Sequence, residues 1–145
     1  MVAVGLWAAQ RGGRAVWVVP VTFVAMMPVG GLLGAMGIIV PFVEPGIVAS
    51  MIVLGVLITA AVPMPLVAMS LLVGLFAIFH GHAHGAEIPE TVSGLAYAVG
   101  FVLATGLLHC CGIGFGLYAR RFVDAQPIRY AGGAIAALGI ALFIA

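Results

Sequence analysis

Apolar residues in this chain come in long runs, and the polar positions that interrupt them fall in short groups. Residues 15–40, 47–62, 66–87, 91–118 and 130–145 each read as a helical span, and residues 1–10 as a sixth, truncated segment. A helix needs about 20 apolar residues to cross a hydrocarbon core of roughly 30 Å, so the ten-residue first segment cannot cross alone. The interruptions are Gln10 to Arg14, a turn at Pro41 to Gly46, the pair Pro63 and Pro65, the stretch from His80 to Pro89, and a charged loop from Ala119 to Arg129. The pattern predicts an all-α fold: a polytopic membrane helix bundle of six segments, forming one integral membrane domain over residues 1–145.

Composition removes the soluble alternative. Charged residues make up 6% of the chain and there is no Lys, against roughly a quarter charged in ordinary soluble domains. A mean hydropathy of +1.34 excludes disorder, which requires low hydrophobicity. Five Arg and a net charge of +1 give no footprint for nucleic acid. The expected partners are a transition-metal ion and the lipid bilayer, with self-association into a homo-oligomer left open.

The charges also set a direction. All five arginines fall in odd-numbered connections, Arg11 and Arg14 in the first and Arg120, Arg121 and Arg129 in the fifth. Glu44, Glu87, Glu90 and three of the four histidines fall in the second and fourth. By the positive-inside rule the Arg loops are cytoplasmic, which places both termini and the histidine cluster on the outer side of the membrane. No basic stretch precedes the first apolar segment, so no typical signal peptide is expected.

Small residues spaced by four, at Gly30/Gly34, Gly112/Gly116 and Gly133/Ala137, predict close helix packing. A less favoured reading makes the glycines a pore wall with exposed backbone.

Chemistry concentrates at His80-Gly81-His82-Ala83-His84-Gly85-Ala86-Glu87. On a helix His80, His84 and Glu87 share a face while His82 points away. In an extended strip all three imidazoles would share one side. Imidazole suits Ni, Zn, Cu and Fe(II), whereas Mg²⁺ prefers oxygen ligands. One helix from Pro65 to Glu87 would be about 34 Å long, which puts His80 within the bilayer, where ionisable residues mark function. The metal-ligand candidates are therefore His80, His82, His84 and Glu87. A solvated His-rich loop is the plain alternative.

His109 follows one turn after Thr105 inside a span, as a station on a transport path or as a histidine bonded to a neighbouring helix. Glu44, on the same side as the histidines, would raise local cation concentration or serve only as a solvated loop charge. Adjacent Cys110 and Cys111 form no CxxC motif and read as small buried apolar side chains, or as a soft thiolate ligand. Met26-Met27-Pro28 reads as packing filler with a kink, although thioethers can bind Cu(I). No nucleophile with a matched base and no phosphate-cradling loop appears, so no enzyme and no cofactor is expected.

Three stretches carry a family resemblance: Ala3 through Gln10, Phe79 through Glu87, and Ala104 through His109 with Gly112. Val43 through Ser50 adds a fourth. Together they resemble the HupE/UreJ family of hydrogenase- and urease-accessory nickel/cobalt permeases, over nearly the whole chain. That resemblance implies a six-helix secondary carrier bringing Ni²⁺ or Co²⁺ into the cytoplasm. The family's HPxxGxDH motif, which would lie just upstream of Met1, has no match here. The chain is therefore expected to lack upstream residues or to be a degenerate paralogue. Two other classes compete: a bis-histidine haem electron carrier using His80, His84 and His109, and a metal-binding accessory subunit without flux.

Overall fold

The computed structural model describes residues 1–89 and 91–145; Glu90 lies outside the described residues. The described chain forms six helices: α1 (Val2–Arg11), α2 (Ala15–Ala35), α3 (Val43–Ala60), α4 (Leu66–Ala86), α5 (Gly94–Phe122) and α6 (Gln126–Ile144). Helices α2 to α6 are long and apolar enough to cross a membrane, and α1 is not.

Several boundaries differ from the hydropathy pattern. The run to residue 40 stops being helical at Ala35, because Gly37 takes a left-handed conformation (φ 70°). That turn lets the Ile38 N–H fold back onto the Leu33 carbonyl and close the helix end. Glu44 and Pro45, expected in a turn, lie in the first turn of α3. The expected loop 119–129 is mostly helix, since α5 continues through Arg120 and Arg121 to Phe122. α6 then starts with Pro127 in its first turn, and the Asp124 carboxylate accepts the Gln126 N–H at 2.7 Å.

Glycines set the packing. Helices α2 and α4 run parallel in backbone contact: a Cβ at Gly30 would collide with the Ile78 carbonyl, and one at Gly81 with the Met27 carbonyl. Gly34 and Gly85 continue the seam toward the C-terminal ends of both helices. Helix α1 pairs with the second half of α5 in the same way, Gly5 lying against the His109 carbonyl and Gly112 against that of Val2. The antiparallel pair α3 and α6 closes through Gly55, Gly132 and Gly139. Two of the three predicted small-residue faces therefore pack as expected. The third lies one residue earlier: Gly132 and Ala136 meet α3, whereas Gly133 has only the Thr59 hydroxyl nearby, at 3.7 Å. In a lipid solvent such close backbone contact takes over much of the role that hydrophobic burial plays in water.

The shortest helix is the most enclosed. Ala3 through Ala9 of α1 are all buried, with Leu6 and Trp7 packed into the core around Val19, Phe23, Met69, Val73 and Ile128. At its C-terminal end the arginines gather. Arg120 Nη1 donates to the Ala9 carbonyl at 2.6 Å, and Arg129 Nε to the Thr59 carbonyl at 2.7 Å. Arg11 Nε donates to the Met64 carbonyl at 3.3 Å, and Gln10 Nε2 to the Ile58 carbonyl at 2.9 Å. The last carbonyls of α1 and α3 have no intrahelical partner, and a guanidinium both satisfies them and offsets the negative end of the helix dipole. Arg120 and Arg129 thus close helix ends, Arg11 tethers the α3–α4 connection, and all three mark one end of the bundle.

Candidate functional site

At the opposite end the histidine segment is helical through Ala86, so the helical geometry holds and the extended strip does not. Gly81 and Gly85 are what lets α4 lie against α2. His80 and His84, one turn apart, place their ring centroids 5.2 Å from each other. His82 points away and hydrogen-bonds through Nε2 to the Ile38 carbonyl at 2.8 Å. A carbonyl only accepts, so Nε2 carries the proton. His82 thereby ties the α2–α3 connection to α4.

Aromatic side chains enclose the imidazole pair. Phe101 sits 4.1 Å from the His84 ring and stacks near-parallel to His80 at 6.1 Å. Tyr97, one turn earlier on α5, brings its hydroxyl to 3.3 Å from His84 Nδ1. Phe23 of α2 packs against both His80 and His109, with ring centroids 5.9 and 5.2 Å away and planes inclined by 62° and 89°. A cavity of about 400 Å³ runs beside the pair, with Met27, Gly31, His84, Gly85, Tyr97 and Phe101 among its lining.

His109 is 2% exposed, and among the described residues neither ring nitrogen has a hydrogen-bond partner. The bond to a neighbouring helix that would make it purely structural is not formed. Thr105, one turn away and 1% exposed, donates its hydroxyl to the Met27 sulfur at 3.6 Å. Two rungs therefore join antiparallel helices α2 and α5: Met27 to Thr105, and Phe23 to His109.

The other candidates lie outside this line. Glu87 stands exposed just past the last residue of α4, and Glu44 is exposed in the first turn of α3, where its charge complements the helix dipole. Among the described residues no hydrogen bond or ion pair joins either carboxylate to the histidines. No group of three or more His, Cys, Asp or Glu side chains positioned to hold a metal ion occurs among them either. Cys110 and Cys111, expected to be buried, are free thiols exposed on the outer surface of α5. The aromatic enclosure and the Met27 contact are what sequence reasoning missed. A tyrosine and two phenylalanines in apolar spans look like packing, and only Tyr97, with a hydroxyl inside a span, carried a signal.

The family described as HupE / UreJ protein matches residues 1–142. The chain belongs to the HupE/UreJ family. A relative, Protein HupE of Rhizobium leguminosarum bv. viciae, is 45% identical over 99% of this chain and 75% of its own length. No solved structure matches the chain. HupE/UreJ proteins form a transporter and accessory family and not an enzyme family, and membership carries a hydrogenase- or urease-accessory role in nickel/cobalt transport. With five spanning helices, this HupE/UreJ chain is a multi-pass membrane protein.

Proposed function

We propose that the chain is a secondary carrier importing Ni²⁺, or Co²⁺, across the bacterial inner membrane to supply hydrogenase or urease maturation. One observation carries this reading: two adjacent imidazoles at one end of the bundle lead to a third, His109, whose buried nitrogens have no partner among the described residues. His84 and His80 are the capture pair, with Glu87 and Glu44 as exposed carboxylates that concentrate cations at the mouth. Thr105 and His109 lie farther along the path. His82 belongs with the structural residues, because its Nε2 is committed to Ile38. Sparse donor sets suit transit, since an ion must bind well enough to enter and weakly enough to leave.

The test is flux into proteoliposomes that trap a nickel-quenched dye. Protein-dependent entry of Ni²⁺ and Co²⁺ is expected, faster with the interior negative, because each charge gains about 2.3 kcal/mol per 100 mV. Entry no faster than into empty vesicles, with folded protein present, would remove the transport reading. A Soret band in the purified protein would favour the haem alternative.

Orientation follows from arginine placement. In a Cys110→Ser/Cys111→Ser background, cysteine introduced by Ala86→Cys is expected to react with an impermeant maleimide from outside whole cells. Ala125→Cys is expected to stay unlabelled until the membrane is opened. The reverse pattern would invert the direction of transport.

A further inference from the structure

By sequence Met27 is packing filler, yet three contacts set it apart. It lines the cavity that also contains His84. Its backbone carbonyl lies against Gly81, the residue after His80, so Met27 is level with the inner member of the capture pair. Its sulfur is held by the Thr105 hydroxyl, one turn from His109. Met27 is 2% exposed, and the hydroxyl that fixes its thioether is itself buried. His109, one turn along α5 from this contact, has two buried nitrogens with no hydrogen-bond partner among the described residues. An orphaned imidazole at membrane depth calls for a partner, and the next rung of the same seam holds the Met27 sulfur.

Phe23 packs against both His80 and His109, steeply inclined to each ring, and gives both imidazoles an apolar neighbour. The Met27 and Thr105 rung lies one turn away from Phe23 along the same α2–α5 seam and supplies its polar contact. We infer that Met27 and His109 form an interior cation station of one thioether and one imidazole, which receives the ion after the capture pair and selects late first-row cations over Mg²⁺ and Mn²⁺. This rests on the transport reading above. A nitrogen and sulfur donor set disfavours cations that want carboxylate, carbonyl or water oxygens. Two donors hold an ion loosely enough to release it. Thr105 is a positioning residue, because its hydroxyl orients the sulfur.

The test uses the whole chain in the Cys110→Ser/Cys111→Ser background, which removes its only thiols. X-ray absorption at the nickel edge should find sulfur in the shell of Ni²⁺ loaded to saturation, and Met27→Leu, close in volume, should remove it. In proteoliposomes the ratio of Ni²⁺ to Mn²⁺ flux should fall by about tenfold or more in Met27→Leu. His109→Gln should lose Ni²⁺ flux by a similar factor, while the first equivalent of Ni²⁺ still binds at the His80/His84 pair. His109→Met, which restores a soft donor, should recover part of that flux. If the parent transports Ni²⁺ but its nickel shell holds no sulfur and both variants keep its flux and selectivity, the station is overturned and the transport reading stands. If the parent neither binds nor moves Ni²⁺, the transport reading fails and the station fails with it.

Discussion

Replacing Gly30 with Leu is expected to leave little correctly folded protein in detergent extracts. A Cβ at this position would lie on the Ile78 carbonyl and within 2.9 Å of the His82 amide nitrogen, so the obstacle is backbone and not a side chain that can turn away. The two helices would have to separate along the whole seam from Gly30 to Gly85. Overpacking ordinarily costs about 1–3 kcal/mol, and a clash of this kind lies at or above the top of that range. Gly114→Leu is the control: nothing lies within 4 Å of its Cβ, and Leu is the better helix former by roughly 0.7 kcal/mol or more. The measurement is thermal unfolding followed by fluorescence-detected size exclusion. A Gly30→Leu protein that elutes as a single peak and melts with the parent would refute the backbone contact between α2 and α4.

That contrast also shows what the sequence could convey. Spans, their number and the shared side of all five arginines were legible, because each depends on composition over many residues. The faces at Gly30/Gly34 and Gly112/Gly116 were legible from the spacing of four between their glycines. In Gly132-Gly133-Ala134-Ile135-Ala136-Ala137 several small-xxx-small pairs are available, and one residue changes the face by about 100°. Only the meeting with Gly55 selects Gly132 and Ala136. Helix ends were least legible where conformation, not hydropathy, sets them, as at Gly37 with its positive φ. The histidine pair could be read from its spacing of four. Its surroundings could not, since Phe23, Met27, Tyr97, Phe101 and Thr105 come from two other helices and share no local pattern with it.

Single replacements of His80 or His84 by Ala are expected to weaken Ni²⁺ binding far more than replacement of His82. The reason is the helix itself: His80 and His84 point to one side, with ring centroids 5.2 Å apart, while His82 turns toward Ile38. Removing either member leaves one imidazole where two had converged, and a loss of about 10- to 100-fold in affinity, or roughly 1.4–2.8 kcal/mol, is the expected scale. Removing His82 deletes one hydrogen bond from the α2–α3 connection. That change is worth about 0.5–1.5 kcal/mol of stability and should leave affinity near that of the parent. Calorimetry on the three purified variants at neutral pH and fixed salt separates the cases, with a melting curve for each. An equal loss in all three would mean that the segment leaves its helical form when it binds the ion, since only an extended strip aligns the three imidazoles. Three variants that bind like the parent would take the cluster out of the capture site. A lowered melting point with intact affinity in His82→Ala, beside intact melting and lost affinity in His84→Ala, would divide the segment as its hydrogen bonds do, between a latch on the α2–α3 connection and a ligand facing the cavity.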